Sequence, residues 1–505
     1  MPDQAKTLQI GVSRPPLEIT DLPTPEEVFK TPKIGTAEII KLVIGPSLIA
    51  LGVSIGSGEW LLGPLNFATY GFVGVGWVVL VSAILQTFYN VEIARFVIAT
   101  GESPTIAFGR TPPGFWFWTP FALVCFYMAF LWGGWAASAG QVLFPMIFGK
   151  APVMTPAGDL QTVRYLAVAL MLFVFVLVLF GEKISRTMEL VNGFMVAFIL
   201  ISLAIFVVFL VPPGNWVQSF GSLITPAAPP AGSDARLLGG LVGFTATAAG
   251  LNFFIIGYYR DKGYGMGSKI GYIAGAFAEQ EAMLASGKTF PDDAKNTALW
   301  KRWFRYLVID QWCVFFVGAL LGMMLPGTLV YYLSRLPGAA VASAANMPVY
   351  AALEMSRQFG PFFFYWTCLV GFFILFSTQL TVFETLVRNF VDAAYGTSSK
   401  FRKLIKGDPL RFYYPFMIVL GIVISILIHQ ALPTELILIS SNMSNFASIF
   451  FPMVMVYLNL QLPKEARIRW WGIVIMILNL LFFGFFFLNF AFVTWITPGK
   501  PLVAF

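Results

Sequence analysis

Glu59 is a lone carboxylate in the string Gly56, Ser57, Gly58, Glu59, which interrupts an apolar stretch from about Leu42 to Leu65. No lysine or arginine lies between Lys41 and Arg95, so the local sequence offers this acid no cation. An ion in hydrocarbon is costly unless it faces a partner or water. Backbone that leaves the helix at membrane depth persists only where it lines a cavity or is packed in protein. A broken helix with an acid at the break therefore has the chemistry of a substrate site in a secondary transporter. The alternative is an acid near a helix end that pairs with a neighbouring cation.

A second interruption falls in the sixth apolar run, where Thr245, Thr247, Gly250 and Asn252 are spaced by alanines and a leucine. Each interruption combines small residues with a polar residue (Glu59, Asn252), then an apolar half-helix and a glycine (Gly63, Gly257). Breaks in the first and sixth helices are what two inverted five-helix repeats predict. Ordinary Gly/Ala packing between helices explains either break alone, but their matching positions less well.

Two further runs carry polar residues. In the tenth, Ser441, Ser444 or Asn445, and Ser448 recur at helical spacing and share a face, which suits a wet cavity or a helix–helix contact. In the eighth, the hydroxyls of Ser377 and Thr378 would face carbonyls freed by a broken first helix. They form a candidate sodium site, since hard cations take oxygen ligands; the alternative is back-bonding to the i−4 carbonyl. Glu384 with Arg388 (i, i+4) and Glu92 with Arg95 (i, i+3) are predicted to neutralise themselves near a membrane face, as structural or gating pairs.

The elements that must position these residues follow from composition. The chain has 505 residues, 58% hydrophobic and 11% charged, whereas soluble domains carry about 25% charged residues. It reads as an all-α integral membrane protein. Apolar runs at about 42–66, 72–99, 115–148, 164–181, 190–211, 237–259, 303–333, 361–387, 412–430, 434–460 and 470–494 predict eleven transmembrane helices. The expected organisation is a tail over 1–37, a first inverted repeat over 38–235, a second over 236–460, and an eleventh helix with a C-terminal tail over 461–505. Lys and Arg concentrate in alternate loops: Arg260 to Arg302, Lys400 to Arg411, Lys464 to Arg469, and Lys183 with Arg186. The positive-inside rule then places the N-terminus in the cytoplasm and the C-terminus outside a cell inner (plasma) membrane.

The net charge of +7 is spread over several loops, which excludes a nucleic-acid patch. Cys125, Cys313 and Cys368 lie in apolar runs at unrelated spacings and read as small core residues. The single histidine, His429, cannot form a catalytic or metal cluster. The tail has no apolar stretch of a signal peptide. Ser286 to Thr289 resembles the end of a P-loop, but Ala282 stands where its first glycine is required. Gly263, Gly265 and Gly267 follow a membrane helix rather than a strand. With no nucleotide motif and no catalytic constellation, the chain is expected to be no enzyme, to need no cofactor, and to work by gradients or passively.

Residues Gly45 to Trp60 resemble the first helix of the Nramp family of divalent-metal transporters, within the superfamily of the LeuT-type fold. Tyr70 to Phe72, Ala94 to Gly101, Leu436 to Ser440 and Phe451 to Met453 resemble it too. The likeness runs over most of the chain from about residue 38 and is specific in the first two helices. It implies a LeuT-type fold of two inverted five-helix repeats plus an extra helix. It also implies transport by alternating access. The departures fall on the chemistry. Family members carry Asp-Pro-Gly-Asn at the first break, where this chain has Gly56, Ser57, Gly58 and Glu59. They carry Met-Pro-His in the sixth helix, where Thr247, Ala248 and Ala249 align. The third run, 115–148, contains no acid, whereas proton-coupled members place carboxylates there.

The missing thioether removes the ligand that favours soft metals. The expectation is a divergent Nramp-like carrier of Mg²⁺ or Mn²⁺, and the alternative a cation-coupled symporter of a small organic solute, with Trp60, Tyr258 and Tyr259 packing around it. Gly56, Ser57, Gly58, Glu59, Thr247, Ala248, Asn252, Ser441 and Asn445 are the expected substrate residues, with Glu59 and Thr247 as metal ligands. The partners are that substrate and the lipid bilayer.

Overall fold

The computed structural model describes residues 17–40, 44–179, 184–271 and 286–503. Lys41, Lys183 and Ala282 of the sequence reading lie outside the described residues, and so does the side chain of Arg186. Among the described residues nine helices are long and apolar enough to cross a membrane, and one bent pair, Pro46–Ser54 with Gly58–Tyr70, adds a tenth passage with a 40° bend. The shorter apolar helix Ala235–Leu251 occupies the sixth place. We number the spans one to eleven in chain order: span one is the bent pair, two is Gly76–Thr100, three Phe115–Phe148, six Ala235–Asp261, seven Ala294–Ser334, eight Pro361–Thr397, nine Leu410–Leu427, ten Pro433–Asn459 and eleven Trp470–Ile496. The sequence pattern located these elements to within a few residues, except that span seven begins nine residues before the expected run and span eight ends ten residues after it. Between them, Leu160–Val178 is span four and Glu189–Leu210 the apolar part of span five.

Span one stops at Ser54, bends through Ile55 to Ser57, and resumes as a π-helical turn over Gly58–Leu62. Close approach demands its glycines. A Cβ on Gly56 would lie 2.4 Å from Thr378 Oγ1, and one on Gly58 would lie 2.1 Å from the Phe244 carbonyl oxygen. Span six stops at Phe244 and resumes as a short 3₁₀ turn at Ala249–Leu251. Ala246 (φ 73°) and Ala249 (φ 46°) are left-handed there, a conformation that costs a non-glycine residue roughly 1–2 kcal/mol. The two breaks lie against each other, as the paired interruptions predict.

The only strands among the described residues are two-residue pieces, Glu18–Ile19 and Lys288–Thr289, paired in parallel. They tie the N-terminal segment to the loop before span seven. Asp21 pairs with Lys295 at 2.6 Å, Glu26 with Arg302, and Trp303 Nε1 donates to the Pro23 carbonyl at 3.0 Å. The lookalike at Ser286–Thr289 thus ends in a strand of this small pair. Cys125 and Cys368 are buried as expected, while Cys313 is exposed on span seven, a correction to its reading as a core residue.

Candidate cation site at the two helix breaks

Ser57, Gly58 and Glu59 of span one, Phe244 and Thr247 of span six, and Thr378 of span eight line one small cavity, closed by Val53, Phe130 and Trp135. Its volume of about 10 Å³ is room for one water-sized sphere. Glu59 is 1% exposed and has no cation partner. Its carboxylate turns back on its own break: Oε2 accepts from the Gly56 N–H at 2.9 Å, and the Ala246 N–H faces it from the other break. The second oxygen, Oε1, has no hydrogen-bond partner, and neither do Ser57 Oγ and Thr247 Oγ1. Buried polar atoms are nearly always paired. Three unpartnered oxygens border one cavity, and all three are hard donors with no sulfur or imidazole among them.

The other expected residues fall in different places. Gly56 contributes its N–H to Glu59. The Thr378 hydroxyl lies 3.2 Å from the Gly52 carbonyl and 3.3 Å from that of Val53, the carbonyls freed where span one stops, and also 3.1 Å from Ile374 O. Ser377 turns away and donates to Ile374 O at 3.1 Å. Ala248 and Asn252 serve the backbone of the break: the Ala248 N–H donates to Asn252 Oδ1 at 3.2 Å, and Asn252 Nδ2 to Asn90 Oδ1 at 2.7 Å. Ser441 and Asn445 sit on the seam between spans ten and six, where Asn445 Nδ2 donates to the Gly239 carbonyl at 2.7 Å and Ser441 packs on Gly240 and Gly243. Of the two uses open to the span-ten stripe, the geometry is that of a helix–helix contact. Trp60 donates to the Pro348 carbonyl and Tyr258 to Glu384, so neither lines the cavity.

Gln86 of span two escaped the sequence reading. Its Oε1 accepts from the backbone N–H groups of Thr247, Ala248 and Ala249 at 3.0, 3.1 and 3.1 Å, and its Nε2 donates to the Thr245 carbonyl. One amide thus satisfies most of the unwound segment of span six. Ser82 donates to the Val242 carbonyl and Tyr89 to that of Gly250, so one face of span two braces the whole break. The signal in the sequence was Ser82, Gln86 and Asn90 at i, i+4 and i+8, a polar stripe in a mainly apolar helix.

On the face that carries the N-terminal segment, Arg388 pairs with Glu384 at 3.1 Å and with Asp261, and Arg260 joins Asp261 and Asp392, each at 2.9 Å. The i, i+4 pair read from the sequence is therefore one arm of a larger buried cluster between spans six and eight. The Glu92–Arg95 pair closes at 2.8 Å as expected, and Asn459 of span ten donates to Glu92 at 3.0 Å.

A membrane protein with broken first and sixth spans meeting at a buried site has a LeuT-type fold. No protein-family model matches the sequence, and no curated protein matches it. Solved structures do. A crystal structure of an Eremococcus coleocola manganese transporter point mutant superposes with a TM-score of 0.58 at 13% identity, over 96% of this chain and 92% of that one. A second mutant of the same transporter gives 0.57 at 14% identity over the same shares. Its complex with an aromatic bis-isothiourea compound gives 0.57 at 15%, over 93% and 90%. At these identities the likeness defines the fold: this chain is an all-α, multi-pass membrane protein built like that transporter.

Proposed function

We propose that the protein is a secondary transporter, a divergent Nramp-like carrier that moves a hard divalent cation, Mg²⁺ or Mn²⁺, by alternating access. The observation that carries this is the convergence of Glu59 Oε1, Ser57 Oγ and Thr247 Oγ1, all buried and unpartnered, on one water-sized cavity. A structurally similar protein is a manganese transporter, which supports the divalent class. The ligand chemistry selects within it. Mg²⁺ binds through one or two carboxylates while keeping several waters, and Mn²⁺ also suits oxygen donors; Cd²⁺ gains from sulfur that is absent here. The repeat division at 38–235 and 236–460 belongs to the same proposal, as does a cytoplasmic N-terminus with the C-terminus outside. Thr378, with the carbonyls of Gly52 and Val53, supports a second cation position; Ser377 does not reach it in this conformation.

One observation favours the alternative, a small organic solute with a positive group. The indole N–H of Trp135 is buried without a partner, and Trp135, Phe130 and Phe244 present aromatic surface to the same cavity. Thermal unfolding of the purified protein separates the two, because a ligand of the native state stabilises it, by about 2.7 kcal/mol at a hundred times its Kd. Mg²⁺ or Mn²⁺ is expected to raise the melting temperature of the parent and not of Glu59→Gln. Stabilisation by organic amines and by neither metal would overturn the cation assignment.

A further inference from the structure

Among the described residues the buried acids divide sharply. Glu92, Glu102, Asp261, Glu354, Glu384 and Asp392 each sit in an ion pair with arginine. Glu59 and Asp310 do not. Asp310 is 0% exposed and opens the π-helical turn Asp310–Phe316 inside span seven, and such turns often mark functional positions. Its Oδ2 accepts from the Ser47 backbone N–H at 3.2 Å and from the Tyr259 hydroxyl, while Oδ1 has no partner. Gln311 Nε2 braces both neighbours, donating to the Tyr259 hydroxyl at 2.9 Å and to Ser47 Oγ at 3.2 Å.

The placement connects this group to the cavity. Ser47 stands in the first turn of Pro46–Ser54, the half-helix whose far end leads into Gly56, which Glu59 holds. The two unpaired acids therefore grip opposite ends of one nine-residue half-helix, about 14 Å apart at 1.5 Å per residue. Through Tyr259, Asp310 also ties that half-helix to the end of span six. Among the described residues, the other charged or titratable groups nearest it are these. Lys262, near the end of span six, is held by Glu189 at 2.8 Å and by the Ile44 carbonyl at 3.0 Å. Span two brings the closed Glu92–Arg95 pair, Tyr264 is the next titratable side chain, and Arg305 on span seven itself is exposed.

We propose that Asp310 is the coupling proton's binding site in this carrier. Water reaching it from the N-terminal face delivers one proton to the free Oδ1. A neutral carboxyl accepts more weakly than a carboxylate, so the hold of Asp310 on Ser47 and Tyr259 loosens, leaving the Gln311 bonds and that of the Ser47 hydroxyl to the Asp310 carbonyl (2.9 Å), and the Pro46–Ser54 half-helix swings more readily away from spans six and seven. At Oδ2 a metal cation does not fit, because the groups pointing at it are hydrogen donors, an amide N–H and a phenol. At the free Oδ1, where the neighbouring Gln311 also leaves its Oε1 unpartnered, the comparison of Na⁺ with K⁺ salts below separates a proton from a cation. This inference rests on the protein being a gradient-driven carrier, but its test needs no substrate.

The test uses full-length protein in nanodiscs, without added metal, carrying Cys313→Ser and Ser57→Cys. The rate at which a membrane-impermeant maleimide labels residue 57 is divided by the rate for the unfolded protein at each pH. The expected result is a normalised rate that rises several-fold as pH falls, equal in Na⁺ and K⁺ salts. Asp310→Asn should label fast at every pH, and Tyr259→Phe should raise the neutral-pH rate. A rate that ignores pH, a Na⁺ requirement, or an Asp310→Asn protein that follows the parent's curve would overturn the proposal. So would an unchanged neutral-pH rate in Tyr259→Phe, which settles the matter if Asp310→Asn does not fold. Labelling as expected, together with a parent protein of unsubstituted Ser57 that carries neither Mg²⁺ nor Mn²⁺, would refute only the transport assignment.

Discussion

Replacing Gln86 with methionine keeps the volume of the side chain and removes every hydrogen bond it makes to the break in span six. The amide oxygen receives three backbone N–H groups at 3.0–3.1 Å. Thr247 N–H also faces the Thr245 carbonyl at 3.1 Å and Ala248 N–H faces Asn252 Oδ1 at 3.2 Å, so Ala249 N–H is the donor left without an acceptor. A buried donor left unpaired costs roughly 1–3 kcal/mol. At about 2 cal/mol/K per residue, a chain of 505 residues loses about 1 °C of melting temperature per kcal/mol. The expected fall is therefore about 1–3 °C. It should be accompanied by a loss of metal-dependent stabilisation, because Thr247 is on the segment that Gln86 shapes. Differential scanning fluorimetry with and without Mn²⁺ reads both. A Gln86→Met protein that melts no lower than the parent and keeps its Mn²⁺ response would refute this account of how the break is held.

Other perturbations test neighbouring parts of the structure. Gly58→Ala places a methyl 2.1 Å from the Phe244 carbonyl oxygen, a contact only backbone movement can relieve. It should abolish transport, whereas Gly214→Ala, with nothing within 4 Å, should be silent in the same uptake assay. Ala249→Gly should relieve the left-handed strain (φ 46°) and restore roughly 1 kcal/mol to Gln86→Met, seen as about 1 °C of recovered melting temperature. Lys295 and Asn296 beside Asp21, and Arg302 beside Glu26, hold those carboxyls below the usual carboxylate range. Depressed acids add stability that is present above their unfolded pKa and lost as pH falls through the folded one. Docking of the N-terminal segment should thus survive to about pH 4 and fail below it. Hydrogen exchange over residues 17–40, corrected for intrinsic rates, would show the contrary if protection disappeared between neutral pH and pH 5.

What the sequence disclosed depended on how far each residue's partners lie along the chain. Glu59 announced itself because an acid beside a Gly/Ser break inside an apolar run, with no cation between Lys41 and Arg95, is costly to bury. Thr247 followed from its place in the matching break. Gln86 and Asp310 were not singled out, because a polar residue in a helix has many uses and their partners are distant: backbone groups more than 150 residues away and, for Asp310, also the Tyr259 hydroxyl 51 residues away. The span-ten stripe had the right face but an unknown neighbour: only the structure sets Ser441 and Asn445 against Gly239, Gly240 and Gly243. Arg388 was legible as the partner of Glu384, four residues away, and not as the partner of Asp261 across the bundle.

The central claim is that an oxygen-only cavity around Glu59 carries a hard divalent ion, and uptake into proteoliposomes tests it most directly. Parent protein and Glu59→Gln would be compared for Mg²⁺ and Mn²⁺ entry, with Cd²⁺ as competitor. Saturable entry of Mg²⁺ or Mn²⁺ is expected in the parent, with Cd²⁺ competing no better than either metal, and none in Glu59→Gln. Tight, Cd²⁺-preferring uptake, or metal entry at the parent's rate in Glu59→Gln, would contradict it.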